Sequence, residues 1–476
     1  MSNGNGNGNG ASAAPAQQSA ADLGIQYNQT LGFFDLFNIA VGVIIGSGIM
    51  TMSTRAIGMT GRSVVVAFMM SAVWVICTGL PTILLTSCIR LIGGGYTQFS
   101  LFVSPKLGGF YMALTLLGQM GHNLYAQTFA TYFADLVGRP GDTSYMKIVA
   151  AIMITGFYFL NFFGVDAMSK LQNAMSVLML ITLSYYCIRG LPKVNLGTFF
   201  GGEGWMTNGF GGLMNASNLL VYSLLGGTSL MPYSPDAKNA RRDIPLAAIA
   251  STLSIALLYV FMGIVNSGIL PMDQVWSINP NTGGIVGVNL TVIARSFMTP
   301  TEVSFFIVGG ALMAAGTTLN GVIGSVTRPG VMMSVDGWLP RTMATLHPKY
   351  KTAWKWQIFY YCMTMMPLIV GFDISQVTNM TLLGSYTMTT LNIIGLFKLP
   401  KMFPDLWEKS MFRIPNAFFF PVMTLCTVVS ANNIRGMFAS SDMRSILVNI
   451  GVMSIGLIYS FVWWPKVTPT VSWEPA

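Results

Sequence analysis

Long apolar stretches and short polar breaks alternate along almost the whole chain. Runs of about 20 residues, the length a helix needs to cross a bilayer, lie near 33–57, 63–89, 107–137, 146–163, 170–189, 210–231, 244–270, 302–334, 355–371, 376–397, 412–434 and 444–464. The pattern predicts an all-α polytopic membrane protein with twelve transmembrane helices. The stretch 271–301, with Pro271, Pro280, Gly283, Gly284 and Pro300, reads as a long loop holding a short helix. Residues 1–30 run through alternating Asn and Gly into Ala, Gln and Ser. They have too little apolar content for a core and are expected to form a disordered cytoplasmic tail. No basic segment precedes a short apolar run there, so the first helix is expected to act as an uncleaved signal.

Two apolar stretches are interrupted at mid-depth. The first contains Gly46-Ser47-Gly48, and the sixth contains Leu224-Leu225-Gly226-Gly227-Thr228-Ser229. Glycine is about 1 kcal/mol worse than alanine in a helix, so both segments are predicted to unwind. Backbone groups freed in hydrocarbon must face protein, water or a ligand, and secondary transporters build midplane sites from such broken helices. The competing reading is a glycine-lined contact between closely packed helices. Gly226 follows Gly46 by 180 residues, and each break opens a five-helix half. Because five is odd, the second half enters from the opposite face. This predicts a 5+5 inverted repeat with discontinuous helices 1 and 6.

Composition narrows the class further. Only 9% of residues are charged and 53% are hydrophobic, against about 25% charge in soluble proteins. The net charge of +9 is scattered through short loops and forms no patch for nucleic acid. With a cytoplasmic N-terminus, sixteen of the 25 Lys and Arg fall on inner segments. Both termini are therefore expected inside a multi-pass protein of the plasma (inner) membrane. Five cysteines in apolar segments and two distant histidines, His122 and His347, offer no disulfide framework or metal-ligand spacing. The 34 methionines read as flexible apolar filler.

A break in this position suits a small charged solute. N–H groups at the start of the half-helix, from Gly46, Ser47 and Gly48, face a carboxylate with a partial positive charge. Carbonyls at Ile44, Tyr222, Ser223 and Leu225 would accept an ammonium, and Ile45 and Gly226 belong to the same two segments. Charge-assisted bonds contribute about 1.5–3 kcal/mol each, so a few of them support roughly micromolar binding. Gly227 and Thr228 would shape the side-chain pocket. Gln119, His122 and Asn123 share one face of the third helix, and polar groups at that depth usually face the bundle interior. They either bond between helices or read the solute, and His122 is a candidate proton carrier. Asn320, on the eighth helix, is a further candidate.

The residues Gly42-Val-Ile-Ile-Gly46-Ser-Gly48-Ile and Asp236-Ala-Lys-Asn-Ala-Arg-Arg-Asp-Ile-Pro245 carry a resemblance. So do Gly93-Gly94-Gly95-Tyr96, Arg328-Pro-Gly-Val-Met-Met-Ser-Val-Asp336-Gly-Trp-Leu-Pro340 and His347-Pro348-Lys349-Tyr350. Over about residues 30–400 the chain resembles amino acid permeases of the amino acid–polyamine–organocation superfamily. The resemblance implies a transporter core over 31–400, two added helices and a short tail over 401–476, and alternating-access transport of amino acids or amines. Gly227 and Thr228 stand where many members have an aromatic and an acidic residue, which implies a roomier pocket or a different gate. The proline and Gly-Pro usual after the first helix are replaced around Thr51–Arg62. In sodium-coupled relatives of this fold a hydroxyl pair joins first- and eighth-helix carbonyls. These positions map here to Thr317, Thr318, Gly42, Ile45 and Ala314, a candidate Na⁺ site. Met179 maps to the place where some relatives carry a lysine.

Other classes fit less well. No Ser/His/Asp set, metal cluster or phosphate loop stands out for an enzyme, and no pore-loop repeat or charge ring for a channel. A non-transporting nutrient sensor would need a signalling domain longer than either terminus. Within transporters, a Na⁺-independent exchanger or a proton symporter is the alternative. The near-absence of buried carboxylates speaks against a dicationic polyamine. The partners expected are the lipid bilayer and a small amino acid or amine, with no nucleic acid and no cofactor besides Na⁺.

Overall fold

The structure, a computed structural model, describes residues 29–201, 204–278, 285–372, 374–441, 443–470 and 473–475. Side chains of Ser47, Val165, Asp166, Thr228, Ile374, Ser375, Ala439, Ser440 and Pro475 lie outside the described residues, as does the expected tail over 1–28. In chain order the helices that build the bundle begin with α1 (Phe33–Ile44), α2 (Ser47–Thr60), α3 (Val64–Cys88), α4 (Gly94–Phe102) and α5 (Gly108–Met120). Then come α6 (His122–Leu136), α7 (Thr143–Phe162), α8 (Val165–Gly190), α9 (Gly209–Leu224) and α10 (Ala240–Gly268). The last five are α11 (Met313–Asp336), α12 (Trp354–Val370), α13 (Ile374–Leu396), α14 (Asn416–Ser440) and α15 (Met443–Trp463). Helix α11 continues Pro300–Phe305 through a π-helical turn at Phe306–Leu312. Short one-turn helices fill several connections.

Among the described residues, seven helical stretches are long and apolar enough to cross a membrane. Several predicted spans fall short for physical reasons. The first and sixth are each divided by their break, and α12 has only 17 residues. The third is split at Gly121, whose helical φ of −65° and ψ of −20° turn α5 almost directly into α6. The burial of the spans sorts them into layers. In the apolar 18-residue window of Pro300–Asp336 83% is buried, whereas the corresponding windows of Asn416–Phe438 and Met443–Lys466 are 28% and only 22% buried. The former is a central post, and the last two helices present an apolar outer face.

The predicted interruptions are present, and the two meet. Between α1 and α2, Ile45 and Gly46 leave helical geometry, with Gly46 extended at φ −112° and ψ −150°. After α9 the chain turns at Gly226 (φ +148°), a conformation glycine tolerates best, and proceeds as a 3₁₀ segment, Gly227–Asp236. Pro232 and Pro235 lie inside that segment and cannot donate to a helical ladder, so a regular α-helix is not continued there. A Cβ on Gly226 would sit 2.8 Å from the Ile44 nitrogen, and one on Gly48 would sit 2.6 Å from the Ser223 Cα. Glycine is what lets the two backbones touch.

Small sheets tie off both ends. In the connection expected to be a loop, β2 (Trp276–Ile278) and β3 (Ile285–Gly287) form an antiparallel hairpin, followed by a short helix, Leu290–Arg295. Pro280, Gly283 and Gly284 lie outside the described residues. The hairpin packs on α2: a Cβ on Gly58 would meet Ile285 and Trp276. At the other end, β1 (Ile89–Leu91) pairs antiparallel with β4 (Trp473–Pro475). Buried Trp473 meets the Phe403 ring edge-on at 4.8 Å, and Arg90 lies 4.0 Å from Glu474. Nearby, the Thr470 N–H donates to Asp336 Oδ1 at 2.8 Å and Tyr96 Oη donates to its Oδ2 at 2.6 Å.

Candidate functional site

Where the two breaks touch, the bundle encloses a cavity of about 380 Å³. One wall is main chain, at Ile44, Gly46, Gly48, Leu225, Gly226 and Gly227. The facing wall is helical, with Gln119, His122, Tyr125 and Tyr222, and with Thr381, Ser385, Thr389 and Asn392 of α13. No Asp, Glu, Lys or Arg is among the described lining residues. The cavity reaches Gln98, Pro329, Asn392 and Leu396, toward the face that carries β1 and Lys398. At its other end the wall is closed. Tyr132 Oη donates to the Met50 carbonyl at 3.1 Å and accepts from the Leu290 N–H at 3.4 Å. Thr54 Oγ1 donates to the Val288 carbonyl at 2.8 Å.

Several buried polar atoms without a partner line this cavity. Gln119 Oε1, His122 Nδ1, Gln98 Nε2 and Asn392 Oδ1 have no hydrogen-bond partner among the described residues. A buried polar atom left unbonded costs about 1–3 kcal/mol, so these four favour a hydrogen-bonding guest. On the main-chain wall, the first-turn N–H groups of α2 lack an intrahelical acceptor, as at every helix start.

Most residues expected from sequence at the solute site come together here. Ile44, Gly46, Gly48, Gln119, His122, Tyr222, Leu225, Gly226 and Gly227 line the cavity. Ser47 begins α2, but its side chain and that of Thr228 lie outside the described residues. Five expectations need correction. The Gly46 N–H donates to the Ile44 carbonyl at 2.9 Å, so it is not open to an anion. The Ile44 carbonyl also accepts from Tyr259 Oη at 3.4 Å, so both of its lone pairs are engaged and it is not open to an ammonium. Asn123 turns away from the cavity and donates to the Thr364 carbonyl at 3.1 Å, because α12 packs behind it. Asn320 is bound on all sides: it accepts from Asn161 at 2.9 Å and donates to Gln172 Oε1 at 2.8 Å and the Met168 carbonyl at 3.2 Å. Ser223 is buried beneath Gly48 and outside the lining.

Gln98 and the polar stripe of α13 were missed. The stripe was readable: Thr381, Ser385, Thr389 and Asn392 follow one another at four, four and three residues, the repeat of a single helix face. Gln98 offered no such signal, since α4 is a short helix beyond the predicted spans.

The residues mapped to a cation site also converge. Thr318 Oγ1 lies 2.7 Å from the Gly42 carbonyl, 3.0 Å from that of Ala314 and 3.3 Å from that of Ile45. Thr317 Oγ1 lies 2.8 Å from the Met313 carbonyl, 3.1 Å from that of Ala314 and 3.2 Å from that of Gly42. Each hydroxyl has one proton for three carbonyls. The surplus oxygen lone pairs form a hard, electron-rich donor set that fits a hard cation such as Na⁺. Met179 stands beside it, with its sulfur 3.8 Å from Thr317 Oγ1.

Comparison with known proteins places these features in context. The profile of a family described as amino acid permease matches residues 31–473. The chain is 23% identical over 398 residues to the branched-chain amino acid permease BcaP of Bacillus subtilis, covering 78% of this chain and 83% of that one. It is 23% identical over 416 residues to the methylthioribose transporter of the same organism, covering 83% and 86%. It is 21% identical over 441 residues to the serine/threonine exchanger SteT, also of Bacillus subtilis, covering 90% and 95%.

Proposed function

Since the chain belongs to the amino acid permease family, multi-pass membrane transporters and not enzymes, we propose that it carries a zwitterionic amino acid without net side-chain charge across the plasma membrane by alternating access. The observation that carries this reading is the cavity: two touching main-chain breaks on one side, hydrogen-bonding side chains on the other, and no charged residue among the described lining. The Ser47 and Gly48 N–H groups hold the carboxylate, and carbonyls of the second break hold the ammonium. Gln119 and His122 read the distal end. A dication would enter a wall with no carboxylate to meet it, at a high desolvation cost.

In this reading the chain has twelve spans in a 5+5 inverted repeat, with both termini cytoplasmic. The paired breaks and the excess of Lys and Arg on one face support that arrangement. A cavity that reaches the β1 face and is closed at the other end by the segment that follows the β2–β3 hairpin then corresponds to an inward-facing carrier. Na⁺, held by Gly42, Ile45, Ala314, Thr317 and Thr318, couples transport, because it would fix the first break to α11.

The test is uptake of labelled amino acids into proteoliposomes, in Na⁺ against choline and with or without a pH gradient. Accumulation that needs Na⁺ is expected, and Thr317→Ala with Thr318→Ala should abolish the Na⁺ stimulation. Binding without accumulation would mean a sensor. The alternative, a Na⁺-independent exchanger or proton symporter, has one observation in its favour. The 2.7 Å contact of Thr318 Oγ1 with the Gly42 carbonyl closes the donor set on itself. Undiminished exchange in choline would establish it.

A further inference from the structure

A second cavity, of about 250 Å³, lies on the β1 face between α7, α11 and α12 and the connection that precedes α12. It shares no lining residue with the first cavity. Its chemistry is graded from mouth to floor. Lys349 and Lys351 line the entrance on either side of Tyr350. Deeper, Arg328 is ion-paired with Asp236, so the charge balance of the described lining stays cationic. On the wall, Gln357 is 6% exposed; its amide nitrogen donates to the Asn161 carbonyl at 3.0 Å, which fixes its orientation. Its Oε1 is buried with no hydrogen-bond partner among the described residues.

An occupant must satisfy both ends. The lysines call for an anion, and the Gln357 oxygen calls for a hydrogen-bond donor on the same occupant. A phosphodiester bearing a hydroxyl has both. The surroundings add a third requirement. Phe163 lines the cavity and meets the Tyr350 ring at 5.3 Å. Phe159, 67% exposed, packs edge-on against Phe163 at 5.1 Å, and Ile358, 54% exposed, follows Gln357. An exposed apolar flank thus runs from the mouth along α7 and α12. Basic pockets between helix ends on the cytoplasmic side are where anionic headgroups bind.

We propose that this cavity is a binding site for the headgroup of an anionic glycerophospholipid such as phosphatidylglycerol. Its phosphate lies at Lys349 and Lys351, its headgroup hydroxyl donates to Gln357 Oε1, and its acyl chains run over Phe159 and Ile358. Placing the site at the inner leaflet rests on the orientation adopted above, but the binding itself does not depend on which solute is carried.

The experiment is lipid retention by the purified full-length protein, read by native mass spectrometry after titration with phosphatidylglycerol or phosphatidylcholine, and with soluble glycerol 3-phosphate. Preferential retention of phosphatidylglycerol is expected, with a roughly thirtyfold loss in Lys349→Ala/Lys351→Ala, since each lysine near an anionic headgroup contributes severalfold. Both lysines are surface residues, so the variant should keep its unfolding midpoint. Gln357→Leu, which removes the headgroup hydroxyl's acceptor, should retain less phosphatidylglycerol than wild type in the same titration. Equal retention by wild type and the lysine variant overturns the proposal, as does binding of glycerol 3-phosphate with no lipid retained. Neither readout involves transport, so a failed carrier assignment and a failed lipid site remain distinguishable.

Discussion

A handful of glycines decides whether this bundle has a site. Gly226 combines a φ of +148° with a Cβ position 2.8 Å from the Ile44 nitrogen, so alanine would be strained and would push the breaks apart. Gly226→Ala is expected to reduce proteoliposome uptake at least tenfold at normal membrane levels; near-normal uptake would show that the contact is dispensable. Gln119→Leu keeps the shape of the wall but removes an acceptor. It should raise KM about tenfold or more with little change in maximal rate, within the range for one buried hydrogen bond. At this scale the sequence was informative about glycine, because poor helix propensity is local. It was less informative about Asn123 and Asn320. Spacing puts a residue on a helix face, but only the packing of α8 and α12 decides what that face meets.

Among the elements, the 3₁₀ segment 227–236 and α11 are joined by the Arg328–Asp236 ion pair, with side chains 6% and 3% exposed. Arg328 also lies over the Tyr233 ring at 4.7 Å, and Tyr233 Oη donates to the Gly321 carbonyl at 2.7 Å. Removing one partner from a buried pair typically costs about 3–5 kcal/mol. Asp236→Asn should therefore lower the thermal unfolding midpoint in detergent clearly, and an unchanged midpoint would mean that the pair is not buried in the working protein. The apolar runs predicted where helices lie. They did not predict the 3₁₀ form after Gly226 or the β2–β3 hairpin, whose three-residue strands are too short to leave a period in the sequence.

For the whole molecule, the cavity that reaches one face and is closed toward the other defines a state that labelling can detect. With Cys77, Cys88, Cys187, Cys362 and Cys426 replaced, Thr389→Cys on the cavity wall should react with an impermeant maleimide from the β1 face alone. Inside-out and right-side-out vesicles separate the two directions, and reaction from the hairpin face only would reverse the assigned state. The layering of this bundle was only partly legible. Composition announced a membrane protein, but which helices form the central post and which the outer face depends on contacts between distant segments. Both Pro300–Asp336 and Met443–Lys466 read simply as apolar.

The β1–β4 ribbon joins residues more than 380 positions apart in the chain. During synthesis, β1 emerges with the second apolar stretch, whereas β4 emerges only after every described helix has left the ribosome. Until then β1 presents an open edge, and unpaired edges invite foreign partners. The ribbon is thus a closing stitch: it can be tied only once every described helix has been made.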